Sequence, residues 1–132
     1  MSNLIKQSII LPATAKQLYA MYLSPSAHAA FTGAPVKIGS KPGSPFSAFG
    51  GALSGTMIAT VPGKLIVQNW RSTNFAASDP DSTLILMFTS VSSKNARIDL
   101  VHVNVPDVDY DGVKKGWPKY YWRPWRKALA KK

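Results

Sequence analysis

Apolar and β-branched residues concentrate in four runs after residue 52: Leu53 to Val61, Leu65 to Arg71, Thr83 to Val91 and Arg97 to Val105. Each run is bounded by turn-forming residues, the pattern of strands that bury one face. Pro62-Gly63 joins the first two as a tight hairpin turn, with Pro at the first turn position and Gly at the second. Asn74 to Ser82 is a polar loop, and Ser92-Ser93-Lys94-Asn95 joins the last pair. Upstream, Leu4 to Leu11 is a first strand closed by Pro12. Thr14 then caps a short helix over Ala15 to Tyr22, because its hydroxyl can accept from an orphan backbone N–H. Leu18, Tyr19 and Tyr22 fall near one face of it. Ser24-Pro25 starts a second short helix, which runs to about Ala30 and stops near Gly33. The segment Ala34 to Gly51 is dense in Gly, Pro and Ser, with Val36-Lys37-Ile38 and Phe46-Ser47-Ala48-Phe49 as its extended pieces.

After Pro106 the pattern changes to a helical one. Asp107, Asp109 and Asp111 gather at its start and Lys131-Lys132 at its end, a polarity that complements the helix dipole. Gly112 and Gly116 weaken the first turns, and Pro118 and Pro124 each remove a backbone hydrogen bond. The expected helix is therefore kinked, or starts late near Val113 or Trp117. At 3.6 residues per turn, Val113, Trp117, Tyr120, Tyr121, Pro124 and Ala128 lie toward one side. On that spacing Trp122 and Trp125 cannot both face inward with Trp117 and Tyr121, so at least one should sit at a cavity mouth or on the surface. Lys115, Lys119, Arg123 and Arg126, with Lys127, form a basic stripe on the opposite face. Strand, two short helices, about six antiparallel strands and one long helix make an α+β fold. A curved sheet wrapped around the last helix covers the apolar faces of both and tends to leave a cavity between them.

A length of 132 residues suits one domain, 1–132, and 45% hydrophobic content suits a packed core. The chain has no cysteine, which excludes a disulfide framework, a thiol nucleophile and a thiolate metal site. It has 16 Lys+Arg against 6 acidic residues, all of them Asp, so any carboxylate acid or base is one of six aspartates. The net charge of +10 favours encounters with polyanions or anionic membranes. Nucleic-acid binding is not expected, because the aromatics it would stack on are taken up by packing. The apolar run Ile9-Ile10-Leu11 is too short for an export signal, and nothing approaches the roughly 20 apolar residues of a membrane span, so a cytoplasmic protein is expected.

Five segments in series resemble a known family. They are Phe49-Gly50-Gly51 with Gly55, Ile66-Val67-Gln68-Asn69-Trp70-Arg71, Asp81-Ser82-Thr83-Leu84, Leu100 to Pro106, and Gly116-Trp117-Pro118-Lys119-Tyr120-Tyr121-Trp122. Nearly the whole chain is similar to the activator of heat-shock protein 90 ATPase homologues, within the START-like superfamily of helix-grip domains that includes polyketide cyclases and pollen allergens. The resemblance implies the helix-grip fold. Such proteins mostly hold hydrophobic small molecules between helix and sheet; some catalyse reactions there and some bind proteins. The co-chaperones of the family carry an additional N-terminal domain, which this chain, starting at the first strand, is expected to lack.

The leading expectation is a non-enzymatic module for a small apolar or aromatic ligand, with Trp70, His102, Trp117, Tyr120, Tyr121 and Trp125 as cavity-lining candidates and no cofactor. A second is a stress-related or chaperone-linked protein contact through Lys115, Lys119, Arg123 and Arg126. A third, cyclase-like reading needs His102 with Asp99 or a Tyr in one pocket. His102, mid-strand between Val101 and Val103, is either a satisfied structural histidine or a proton-transfer group. His28 lies near the expected cavity entrance. Two distant histidines without Glu do not make a metal site, and no metal is expected. Arg71 is expected to pair with Asp81 or Asp99. Gly50-Gly51 and Gly55 lack the strand-to-helix setting of a phosphate loop and read as bulge or close-packing glycines. No serine lies in a nucleophile-elbow pattern. The oligomeric state is open.

Overall fold

In a computed structural model, which describes residues 3–130, seven strands form one antiparallel sheet in the order β1-β7-β6-β5-β4-β3-β2. The strands are β1 Ile5–Leu11, β2 Val36–Lys37, β3 Pro45–Ala48, β4 Leu53–Val61, β5 Leu65–Ser72, β6 Ser82–Ser90 and β7 Ala96–Val103. The inner face is set by strict alternation in the last three. Ile66, Gln68, Trp70 and Ser72 on β5, Ser82, Leu84, Leu86 and Phe88 on β6, and Ala96, Ile98, Leu100 and His102 on β7 are all buried. Their neighbours on the other face are half-buried or exposed, as a sheet with one covered face requires. The Pro62-Gly63 turn closes with Lys64 N–H donating to the Val61 carbonyl at 2.9 Å, and Gly63 supplies the φ of 72° that the second turn position demands.

Gly55 is a close-packing glycine, as expected. A Cβ there would lie 1.9 Å from the Asn69 carbonyl oxygen on β5, and a register shift follows between Met57 and Ala59. Only hydrogen fits where the two backbones approach this closely. Helix α1, Ala15–Leu23, begins in a reciprocal capping box between Thr14 and Gln17, and α2, Pro25–Thr32, is capped by Ser24 and ends on left-handed Gly33. Both run slightly past their expected ends. Phe49, expected to be extended, instead opens a short 3-10 turn, Phe49–Gly51, whose three residues all have positive φ (52°, 66° and 91°).

The C-terminal helix starts early rather than late. A 3-10 turn over Asp107–Asp109 leads into α3, Tyr110–Gly116; a π turn, Trp117–Trp122, follows, and then α4, Arg123–Ala130. The basic pair Lys131-Lys132 lies outside the described residues. The prolines explain the π turn. Arg123 N–H donates to the Pro118 carbonyl five residues back, and Pro124 has no N–H to offer. In a regular helix the Pro124 ring would strike the carbonyl four residues earlier, so widening the turn relieves that clash.

The widened turn also corrects the expected phasing. In an uninterrupted α-helix Trp122 would lie about 140° around from Trp117. Absorbing one extra residue removes about 100° of that, and the same correction brings Trp125 and Leu129 round to the Trp117 side. Trp117, Tyr121, Trp122 and Trp125 are all buried, and neither Trp122 nor Trp125 reaches the surface. Tyr120 is displaced outward instead and is 48% exposed.

Candidate functional site

Helix and sheet meet differently along the helix. At its C-terminal end Trp125 stacks on Phe31 of α2 with ring centroids 4.4 Å apart, and Trp122 stacks between Trp117 and Trp125. Both indoles are buried there. Toward the N-terminal end Gly112 and Gly116 bring no side chains to the interface, and a cleft of about 440 Å³ opens between helix and sheet. Phe49, Leu53 and Trp70 line its sheet side, and Val113, Trp117, Tyr120 and Tyr121 its helix side. Phe49 meets Tyr120 edge to face at 5.6 Å, and Trp70 lies 6.2 Å from Trp117. The left-handed backbone of Phe49 is an uncommon state for a bulky residue, and strain of this kind clusters at ligand sites. A hollow of about 730 Å³ beside the outer edge of β1, bounded by Arg97 and Arg126, is larger but lies outside the helix–sheet interface.

Of the six cavity candidates, Trp70, Trp117, Tyr120 and Tyr121 border the cleft. His102 and Trp125 do not. Trp125 belongs to the closed end. His102 is fully buried behind Trp117 and Trp70, in a hydrogen-bond chain whose direction is fixed. Trp117 Nε1–H donates to His102 Nδ1 at 3.2 Å, so Nδ1 carries no proton and the ring's hydrogen sits on Nε2. Nε2–H then donates to Ser82 Oγ at 2.8 Å, whose own hydrogen goes to the Trp70 carbonyl at 2.6 Å. Burial lowers the His102 pKa to about 3. The histidine is neutral, single-tautomer and fully engaged.

His28 is a second case of the same design. It lies in the core, not near an entrance: Nδ1–H donates to the Tyr22 carbonyl at 2.8 Å, and Nε2 accepts from the Tyr121 hydroxyl at 2.9 Å. Burial lowers its pKa to about 4, partly offset by the bond to the Tyr22 carbonyl. Burial also raises the Tyr121 pKa, so its phenol stays protonated as the donor. Two polar groups of the cavity-lining candidates, the Tyr121 hydroxyl and the Trp117 N–H, are therefore used inside the protein. The pairing of His102 with Asp99 is also not met. Asp99 lies on the other side of β7, bonded to Ser8 and to Arg97.

Sequence reasoning missed the polar end of the cleft. Ser72, Asn74 and Asp109 gather there, with Ser72 Oγ–H donating to Asp109 Oδ2 at 2.6 Å and Asn74 Nδ2 at 3.4 Å from Oδ1. In the sequence Asp109 reads, with Asp107 and Asp111, only as a helix-start acid. The available signal is its spacing from Gly112 and Gly116, which places a bare strip of helix beside a carboxylate. Arg71 pairs with Asp81 at 3.0 Å and donates to the carbonyls of Ala76 and Asp79. Lys115, Lys119 and Arg123 stand exposed, while exposed Arg126 also reaches the Ile10 carbonyl at 2.9 Å. Among the described residues, no helix is long and apolar enough to cross a membrane.

Residues 12–129 match the family model described as Activator of Hsp90 ATPase homolog 1-like protein. A curated relative, Uncharacterized protein C1711.08 of Schizosaccharomyces pombe, is 28% identical over 120 residues, covering 91% of this chain and 35% of that protein. The chain thus spans about a third of the length of the curated relative it matches. The crystal structure of PFC0360w, an HSP90 activator from Plasmodium falciparum, superimposes with a TM-score of 0.85 at 22% identity, over 98% of this chain and 96% of that one. Ara h 8.0201 has the same fold, with a TM-score of 0.75 at 8% identity over the full length of both chains.

Proposed function

This chain belongs to the activator of Hsp90 ATPase homolog 1-like family, with the START-like helix-grip fold, and on that premise we propose that it binds a small apolar or aromatic molecule between its C-terminal helix and its sheet. The observation that carries this is the cleft itself. About 440 Å³ lies within the range of ligand sites, and its walls are aromatic and aliphatic, with a few polar groups at one end. The glycines at 112 and 116 keep it open where side chains could have filled it. Binding here would need no rearrangement of the closed end. Native mass spectrometry of the purified protein and titration with Nile red, an uncharged apolar dye, test the reading. Dye binding to the wild type that is lost in Gly116→Leu supports it. No dye binding, or equal binding to both proteins, overturns it.

A second reading has its own observation. Lys115, Lys119 and Arg123 are exposed, and none makes an ion pair among the described residues. Such a face fits an acidic protein surface. The family name and the similarity to the Plasmodium HSP90 activator make a chaperone the natural candidate. A pull-down with purified Hsp90 over a salt titration tests it. Capture that falls steeply with salt, and is lost when the three basic residues become Glu, would support the contact. The polyketide-cyclase-like alternative has no comparable support, since His102 and His28 both have their ring nitrogens engaged.

A further inference from the structure

The polar end of the cleft narrows the ligand's chemistry. The chain has 16 Lys+Arg and 6 acidic residues, yet among the described residues no Lys, Arg or His lines the cleft and one aspartate does. Asp109 is only 6% exposed. Its one close partner is Ser72, its contact with Asn74 is long, and it makes no capping bond to the helix it precedes. Among the described residues no basic side chain pairs with it. An ionised carboxylate offers about four acceptor positions, so part of this one's capacity is unused. A buried carboxylate without a cationic partner is costly, and the positive end of the helix offsets only part of that cost. Gly112 leaves the carboxylate approachable: a Cβ there would stand 2.9 Å from Oδ1. Trp70 and Trp117 line the same space, and aromatic rings attract cations.

We propose that the cleft selects an aromatic amine, a flat apolar body carrying one protonated nitrogen, and that Asp109 holds that nitrogen. This rests on the ligand-binding reading above. It excludes carboxylic acids, which would meet Asp109 as a like charge with no basic group to offset it. The net charge of the protein points the other way, so charge alone would favour the acid.

Calorimetric titration with 1-naphthylethylamine, 1-naphthaleneethanol and 1-naphthaleneacetate tests this, because the three share one ring system and differ in head group. The amine is expected to bind about tenfold more tightly than the alcohol, and the acetate most weakly. Asp109→Asn, which keeps the shape and can still bond to Ser72, should bring the amine to the level of the alcohol while leaving the alcohol unchanged. Ser72→Ala keeps the carboxylate and should keep the preference. Gly112→Ala crowds Oδ1 and should weaken the amine more than the alcohol, which tests the idea even if Asp109→Asn does not fold. Equal binding of all three, an acetate that binds best, or a preference lost in Ser72→Ala overturns the assignment of Asp109 and leaves the apolar cleft standing. If neither the three probes nor Nile red binds the wild type, the ligand-binding reading itself falls.

Discussion

The two ends of the C-terminal helix carry similar side chains and do opposite things. From the last residue of the π turn onward, Trp122, Trp125 and Leu129 are buried, with Trp125 flat against Phe31 of α2. Earlier in the turn, Trp117, Tyr120 and Tyr121 border an open cleft. Aromatic content does not make the difference. What does is what fills the interface: α2 meets the distal end with a matching ring, whereas the helix's own proximal stretch presents Gly112, Gly116 and a buried carboxylate. The distal end anchors the helix, which lets the proximal end stay unfilled without the helix drifting off the sheet.

The strongest way to break that comparison is to empty the closed end. Trp125→Ala removes a fully buried indole and its stack, and should cost about 3–5 kcal/mol of stability by urea unfolding. A loss below about 1 kcal/mol would mean that the distal end is not the anchor. Acid is the next largest lever. The folded pKa values of His28 and His102, about 4 and about 3, lie below the ordinary value near 6.5, so the unfolded chain binds more protons below pH 6.5. Stability is therefore full above that pH and falls as the pH drops. Two extra protons correspond to about 2.7 kcal/mol per pH unit, a limiting slope approached near pH 5 and smaller toward pH 6 and pH 4. Imidazole NMR signals that titrate near pH 6.5 in the folded protein would contradict this.

Trp117→Phe probes the junction between the two ends. It keeps an aromatic ring but leaves His102 Nδ1 without a donor, and should cost about 1–3 kcal/mol. The smallest effect has the opposite sign. Gly116 has helical φ and ψ, and an added Cβ would meet Tyr120 at an ordinary 3.6 Å. Gly116→Ala should therefore stabilise the fold by about 0.5–1 kcal/mol while weakening Nile red binding. Stabilisation with unchanged dye affinity would show that Gly116 does not serve the cleft.

Strands are the most legible part of the sequence because their signals are local. Turn residues such as Pro62-Gly63 and the apolar runs fix each strand to within one or two residues, and the Gly55 contact leaves only hydrogen at the crossing. The phase of the last helix is not legible in the same way. Extrapolating 3.6 residues per turn across two prolines misplaces everything beyond them, which is why that spacing makes Trp122 and Trp125 compete for the core when in fact they do not. Four cleft residues, Trp70, Trp117, Tyr120 and Tyr121, can be picked out as large aromatics on the right elements. Asp109 cannot, since its burial depends on a loop, a strand end and a glycine meeting in space. Nor can the fixed direction of the His102 chain, which needs Ser82, Trp117 and the Trp70 carbonyl in one place.

The π turn also bears on how such a protein can diversify. It works as a phase adjuster between a fixed mount and an adaptable jaw. Forcing Trp117–Trp122 into α geometry at constant length would swing the distal rings by about 100°, off Phe31 and toward water, whereas deleting one residue restores α geometry with the distal rings kept in place. Substitutions on the jaw side, by contrast, leave the mount's register untouched. Relatives could thus vary the residues at 109, 112, 116 and 120 to accept different guests, while loss of the one extra residue in the turn is absorbed as a change from π to α geometry.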